Sequence, residues 1–109
     1  MEKVIFTQST LDYFDQLVYI LFEKEYFSYE KTAQDYVYKI VQFIENSVHF
    51  LPHKIVPLKL SHHGSFYIFY KPNQRTTWYV FFEKGNQRIV VTSILNNHCK
   101  EARYLSETS

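Results

Sequence analysis

Three consecutive runs of β-branched and aromatic residues, all between Ser65 and His98, constrain this chain more than any other feature. Runs of this composition, separated by polar turns, favour consecutive β-strands. The segment 71–74 supplies the first turn, in which Pro72 presets φ. The segment 83–86 supplies the second turn, in which Gly85 is free to adopt a positive φ. The sequence therefore predicts an antiparallel meander of three strands.

A short strand and two helices are predicted before the meander. Lys3–Thr7 has strand composition, and Ser9 or Thr10 is the expected N-cap of a helix that ends near Glu25 or Tyr26. Ser28 is the expected cap of the second helix. The apolar faces at helical spacing are Leu11, Phe14, Leu17, Val18, Leu21 and Phe22 in the first helix and Ala33, Tyr36, Val37, Ile40, Val41, Ile44 and Val48 in the second. The short connection predicts an antiparallel helical hairpin.

These elements predict an α+β fold. The N-terminal strand and the antiparallel helical hairpin would pack on one face of a twisted antiparallel sheet that ends in the three-strand meander. The position of the first strand in the sheet stays open, because composition does not order strands. A single domain is expected over residues 1–109, with a polar tail from about residue 96. Within the tail, 100–105 could form one or two helical turns, and 106–109 should be frayed.

Composition limits the class of protein. Cys99 is the single cysteine, so no disulfide framework is expected and a reducing, cytoplasmic location is the default. The sequence contains no apolar run of membrane-spanning length and no signal-peptide pattern, so no membrane association is expected. No cofactor is expected either.

The net charge of +1 conceals an uneven distribution of charged residues. Residues 1–45 contain eight acidic and four basic side chains, a local charge of −4. Residues 46–82 contain no Asp or Glu, and their basic residues, Lys54, Lys59, Lys71 and Arg75, give +4. An anionic partner on the basic side is one interpretation, and a solvated loop that lacks acids is the other.

The order of strand, two helices, proline-containing loop, three-strand meander and short tail resembles the RelE/ParE superfamily of toxins from bacterial type II toxin–antitoxin modules. The similarity covers nearly the whole chain. It depends on Val4-Ile5-Phe6-Thr7, on Pro57-Leu58-Lys59-Leu60 before His63-Gly64, and on the meander from Phe66 to Ile94. The stretch 75–84, followed by Asn96-Asn97-His98, is most similar to a branch of these toxins from Bacteroidetes.

The resemblance implies a growth-inhibiting toxin, of the kind also associated with plasmid stabilisation, that is neutralised by a cognate antitoxin protein. RelE-like members cleave mRNA on the ribosome without a metal, by attack of a 2′-hydroxyl on the adjacent phosphate, whereas ParE-like members inhibit DNA gyrase by binding. The ribosome with its mRNA and DNA gyrase are therefore the two candidate targets, and homodimerisation stays open. A non-toxic protein-interaction domain that retains the fold is a further alternative.

The residues available for catalysis lie at the end of the meander and beyond it. A ribosome-dependent endoribonuclease would use His98 as acid or base together with Arg75 and Arg103, of which Arg103 could hold a phosphate, and Tyr104 is a further candidate. The candidate residues for binding nucleic acid or a partner protein are Lys71, Arg75, Tyr67, Phe69, Trp78, Asn97 and Lys100.

The alternation of side chains along the strands predicts the faces of the sheet. Trp78 lies where the nucleases place an arginine on their open face, so the resemblance predicts an open face that carries Trp78, Tyr67 and Phe69, with Tyr79 and Phe81 under the helices. These aromatic rings could stack on bases, or be covered by the antitoxin or by the chain's own tail.

His62 and His63 are adjacent and could ligate a metal ion. The sequence places no cysteine or carboxylate near them, so a surface role in a loop is favoured and no metal site is predicted.

Overall fold

The computed structural model describes residues 3–23 and 30–105. Within these ranges two α-helices pack on one face of a sheet of five strands, which confirms the predicted α+β class. The strands are β1 (Lys3–Phe6), β2 (Lys54–Ile55), β3 (Phe66–Tyr70), β4 (Trp78–Gly85) and β5 (Arg88–Asn96), and the helices are α1 (Gln8–Glu23) and α2 (Glu30–Ser47). Two 3₁₀ segments, Leu58–Leu60 and Lys100–Tyr104, complete this part of the chain. The second is the predicted helical turn of the tail, whereas residues 106–109 lie outside the described ranges.

The sheet is mixed, with the strand order β1-β5-β4-β3-β2. The prediction of a purely antiparallel sheet is wrong at one edge, where β1 pairs in parallel with β5. Two parallel strands need a long connection between them, and here the whole segment from α1 to β4 connects β1 to β5. The predicted meander of β3, β4 and β5 is antiparallel. The two-residue strand β2 forms the other edge, in the stretch that sequence patterns describe least well.

The second hairpin turn lies two residues later than predicted. Gly85 belongs to β4 and pairs with Arg88, so the turn consists of Asn86 and Gln87. These two residues have φ values of 50° and 59°, as a type I′ turn requires. The positive φ expected at Gly85 is therefore found at its two successors. In the first turn, the Asn73 side-chain oxygen accepts hydrogen bonds from the backbone N–H groups of Arg75 and Thr76.

Helix α1 begins earlier than predicted because Thr7, rather than Ser9 or Thr10, caps it. Thr7 Oγ1 accepts a hydrogen bond from the Thr10 backbone N–H at 3.3 Å. The Thr10 hydroxyl donates instead to the carbonyl oxygen of Val91 in β5, at 3.3 Å. This contact fixes the start of the helix on the sheet. The predicted end of this helix near Glu25 or Tyr26 and the predicted cap Ser28 lie outside the described residues.

The two helices bury the predicted apolar faces. Phe14 and Leu17 of α1 and the set Ala33, Val37, Ile40 and Ile44 of α2 are buried, and most of them pack against β3, β4 and β5. Leu11 and Phe22, at the margin of the predicted α1 face, are exposed. In the described part of the chain, no helix combines the length and the apolar composition needed to cross a bilayer.

The predicted assignment of the two sheet faces is wrong. Trp78 packs on the helix side, is only 3% exposed, and donates its indole N–H to Tyr36 Oη at 3.0 Å. Tyr79 lies on the opposite face, directly across from Phe69. Residues directly opposite in antiparallel strands share a face, so Tyr67 and Phe69 accompany Tyr79 and Phe81 rather than Trp78. Alternation identifies which residues share a face but not which face the helices cover.

A β-bulge in β5 interrupts the alternation of its side chains. Phe81 pairs with Ser93, but Phe82 pairs with Val91, which leaves Thr92 as the extra residue. Val91 and Ile94 therefore both face the helices, and Ser93 between them is directed to the opposite face. The bulge thereby places a hydroxyl group on the face that carries the polar clusters described below.

Candidate functional site

The face of the sheet opposite the helices, called the second face here, is covered by the chain itself. Tyr67, Tyr79 and Phe81 are buried there, in contact with Leu60 of the first 3₁₀ segment and Ala102 of the second. The chain's own tail therefore covers these rings, which is one of the alternatives expected for an aromatic face. The two covering segments bring polar side chains together along their margins, where two clusters form.

The first cluster consists of Lys59, Arg103 and Tyr104. Arg103 Nη2 donates a hydrogen bond to Tyr104 Oη at 2.8 Å, and Lys59 Nζ donates to the same oxygen at 3.4 Å. Both cationic groups also lie 4.9 Å from the centre of the Tyr104 ring. Tyr104 thus receives one positive charge from its sequence neighbour and a second from Lys59, 45 positions away in the sequence.

The two cations change the acidity of the phenol. Hydrogen bonds from Arg103 and then from Lys59, which favour the phenolate, hold the pKa of Tyr104 below its ordinary value of 10.0. Lys59 and Arg103 are exposed and Tyr104 is half-buried, so the cluster is open to a ligand from solvent. An anionic group such as a phosphate could accept the same donors, and the phenolate could accept a proton.

The second cluster joins His62, His63 and Glu101. Glu101 Oε2 lies 3.0 Å from His63 Nε2 and 3.4 Å from His62 Nε2. The other ring nitrogen of His63, Nδ1, lies 2.9 Å from the Ser93 hydroxyl oxygen. The expectation that no carboxylate lies near the two histidines is wrong, because the tail folds back across the second face and supplies Glu101.

Glu101 is held in its ionised form by this arrangement. The hydrogen bond from His63 is the main cause that lowers the pKa of Glu101 below its ordinary value of 4.5. Burial opposes it as the next largest effect, and electrostatic interactions with His63 and His62 lower the pKa by smaller amounts.

A neutral His63 can carry its hydrogen atom on either ring nitrogen, with different consequences for its two contacts. In the first, the Ser93 hydroxyl donates to Nδ1, and Nε2–H donates to Glu101. This hydrogen-bonded chain has the residue types of a hydrolytic Ser-His-Glu triad, with the two ring nitrogens exchanged relative to the serine-protease arrangement. In the second, Nδ1–H donates to Ser93 and the Nε2 lone pair faces the Glu101 carboxylate, so a cation has to lie between them, as it does at a metal-binding histidine.

A groove beside the first cluster contains two further predicted residues. Asn97, Cys99, Lys100 and Arg103 line it, with Tyr79 among its apolar lining residues. Asn97 has a structural role as well, because its side chain accepts a hydrogen bond from the Thr77 N–H and donates one to the Arg75 carbonyl oxygen. Lys100 is exposed, so it adds a positive charge that a ligand can reach.

His98 lies apart from Arg103 and Tyr104. It lines a cleft on the helix side of the sheet, together with Trp78, Tyr36 and residues of α1, whereas Arg103 lines the groove on the second face. The structure therefore brings together two of the predicted catalytic residues, Arg103 and Tyr104, and places the third in a different depression.

The remaining predicted binding residues are divided between the interior and the loop before β4. Tyr67 is buried, whereas Phe69 is half-buried beside the tail. Lys71 and Arg75 are exposed, and Lys71 Nζ donates a hydrogen bond to Thr77 Oγ1 at 3.3 Å. Trp78 is enclosed by the helices, so its ring does not provide a stacking platform on the second face.

Three residues of the two clusters are not among the site residues predicted from the sequence: Lys59, Ser93 and Glu101. Lys59 carried a usable signal, because it lies in the motif Pro57-Leu58-Lys59-Leu60 and within the stretch that lacks acids. No sequence signal identifies Glu101 or Ser93, since only the fold of the tail and the bulge in β5 bring them to His63.

The sequence matches no protein-family model, and comparisons with curated proteins and with solved structures give no match.

Proposed function

We propose that this chain is the toxin component of a type II toxin–antitoxin module and that it inhibits growth by binding and cleaving RNA. The observation that carries the proposal is the convergence of Arg103 and Lys59 on the Tyr104 hydroxyl, at 2.8 Å and 3.4 Å. The resemblance of the element order to RelE/ParE toxins supports the class of protein. The cluster supports the RNA-directed mechanism within that class.

The cluster provides a proton acceptor and two cations for cleavage by an internal 2′-hydroxyl. Tyr104, as the phenolate that Arg103 and Lys59 favour, accepts the proton of the 2′-hydroxyl, whose oxygen then attacks the adjacent phosphorus. Arg103 and Lys59 hold the non-bridging oxygens and stabilise the additional negative charge of the phosphorane. The 5′ oxygen leaves as a hydroxyl group after it takes a proton from a water molecule, since the cluster is open to solvent. The other product ends in a 2′,3′-cyclic phosphate.

The charge distribution favours an anionic target on this side of the molecule. Lys59 belongs to the segment 46–82, which contains no acidic residue, and Lys100 and Arg103 lie in the groove beside it. Residues 1–45, which include α1 and most of α2, carry the acidic excess. An RNA backbone would therefore be attracted to the second face and repelled by the helices.

The test combines growth with RNA cleavage. Expression of the wild-type chain should arrest growth, and the purified protein, with ribosomes added, should cleave mRNA. Tyr104→Phe removes the proton acceptor and should slow cleavage by about 10²–10⁴-fold. Tyr38→Phe changes an exposed tyrosine of α2 in the same way and is the matched control.

RNA binding provides a second measurement. Replacing Lys59 and Arg103 by Gln should make the dependence of log Kd on log salt shallower by about 1.4, at about 0.7 for each lost contact to single-stranded RNA. Lys39→Gln, on the exposed side of α2, should leave the slope unchanged. Equal cleavage and equal slopes in the site and control variants would contradict the RNA mechanism. Absence of growth arrest by the wild-type chain would contradict the toxin assignment itself.

A further inference from the structure

We infer that His62, His63 and Glu101 form a binding site for a divalent transition-metal ion of the zinc class. Each residue offers one ligand atom, and these atoms all lie within 4.8 Å of one another. Two imidazole nitrogens and a carboxylate oxygen form a donor set typical of zinc sites that retain an open coordination position. The site is separate from the Tyr104 cluster, so the inference does not depend on the proposed RNA cleavage.

Two of the three distances between ligand atoms lie close to the value for tetrahedral coordination. Zinc bonds of about 2.0–2.1 Å at tetrahedral angles place neighbouring ligand atoms about 3.3–3.4 Å apart. Glu101 Oε2 lies 3.0 Å from His63 Nε2 and 3.4 Å from His62 Nε2. The two imidazole nitrogens lie within 4.8 Å of each other, so a metal ion requires them to approach by up to about 1.4 Å. The His62 side chain, which is 64% exposed, has the freedom to make such a movement.

His63 is held in the orientation that a metal ligand needs. Its Nδ1 lies 2.9 Å from the Ser93 hydroxyl, its ring packs against Phe81 with centres 5.0 Å apart, and its carbonyl oxygen accepts a hydrogen bond from Thr92 Oγ1. When Nδ1–H donates to Ser93, Nε2 presents its lone pair to the position between the three ligands. Ligating histidines usually use their second ring nitrogen in this way, which fixes the tautomer and the direction of the ring.

The metal would fasten the tail to the second face. His62 and His63 follow the first 3₁₀ segment, and Glu101 belongs to the second, 38 residues later. The ion would connect the two segments that cover Tyr79 and Phe81. Three protein ligands leave a fourth coordination position for water or a ligand. Cys99 Sγ lies 3.9 Å from Glu101 Oε1.

The experiment uses the untagged full chain, freed of metal with a chelator and titrated with Zn²⁺ by calorimetry. One ion should bind per chain. His62→Gln and Glu101→Gln should weaken binding by about 100-fold or more, because loss of a hydrogen-bonding partner of a ligand already costs about 10–100-fold. Ser93→Ala, which removes such a partner, should weaken binding by about 10–100-fold. His98→Gln, in a different cleft, is the matched histidine control and should bind as the wild-type chain does.

Cobalt provides a spectroscopic test of the ligand set. Co²⁺ bound at the site should give the visible absorption of a four-coordinate ion, and His62→Gln should abolish it while circular dichroism shows an unchanged fold. Zinc binding that is equal in the wild-type, His62→Gln and Glu101→Gln proteins would overturn the inference. An equal loss of zinc binding in His98→Gln and in His62→Gln would also overturn the inference, because the zinc would then be bound by dispersed surface histidines.

Discussion

Replacing Gly64 by alanine should cause a large loss of stability, because the chain is closely packed around this residue. Gly64 has a φ of +156°, which residues with a side chain rarely adopt. A Cβ atom would lie 2.7 Å from Thr92 Oγ1, 3.2 Å from the Phe82 backbone nitrogen and 3.3 Å from Phe81 Cβ. The last two atoms belong to the middle of β4 and cannot move without disturbing the sheet.

Two costs add in this substitution. The backbone conformation costs a residue with a side chain about 1–3 kcal/mol, and overpacking costs about 1–3 kcal/mol. The smaller entropy of the unfolded alanine chain offsets about 0.4–1 kcal/mol. The central values give a fall of about 3 kcal/mol in the free energy of unfolding, a large part of the roughly 5–15 kcal/mol typical of a domain. Movement of Thr92 would also weaken its hydrogen bond to the His63 carbonyl oxygen.

The assay is equilibrium unfolding in urea, with Gly85→Ala as the matched control. Gly85 has no atom within 4 Å of an added Cβ, and its φ is not positive. Its substitution should change the free energy of unfolding by less than about 0.5 kcal/mol. The Gly64→Ala midpoint should fall by roughly 1–2 M relative to this control. Midpoints that agree within error for the two variants would refute the reasoning from close packing at Gly64.

Three further predictions test other parts of the structure. Gln87→Gly should stabilise the protein by about 0.5 kcal/mol, since Gln87 has a φ of 59°, and an unchanged or lower urea midpoint would contradict this. Trp78 fluorescence should be blue-shifted and resist quenching by acrylamide, and Tyr36→Phe should cost about 1–3 kcal/mol because it leaves the buried indole N–H unpaired. Tyr104 should ionise below the ordinary tyrosine range in an NMR titration of labelled tyrosine, and Arg103→Gln should raise its pKa. The Tyr104→Phe spectrum assigns the signal, and an unshifted titration in Arg103→Gln would contradict the stated cause.

Local sequence patterns were sufficient to predict most elements of the fold. The apolar spacing in α1 and α2 identified the residues that pack on the sheet, such as Phe14 and Ile40. The runs of aromatic and β-branched residues identified β3, β4 and β5. These predictions succeed because a helix or strand has a fixed period, so the pattern of apolar residues follows its buried face. The second turn is predicted two residues too early, because glycine adopts a positive φ more readily than asparagine or glutamine, yet Asn86 and Gln87 are the residues that do so.

The candidate site was predicted only in part. Arg103 and Tyr104 were selected from the tail, but their pairing with Lys59 depends on the tail lying against the segment 58–60. His98 was expected with them, yet it lines the cleft on the helix side. His98 lies in the turn after β5, whereas Arg103 and Tyr104 belong to the 3₁₀ segment that folds back across the second face, so sequence proximity did not imply a shared site.

The sequence by itself determined the helices, the meander and the segregation of charge, because each depends on residue type and spacing within a short stretch. Only the tertiary structure decided which face Trp78 occupies, that β1 pairs in parallel with β5, and that Glu101 meets His63. These features depend on packing between segments tens of residues apart, where either face of an apolar strand can meet the helices. The Thr92 bulge shows the same distinction, because one additional residue directs Ser93 toward His63 and no local pattern requires it.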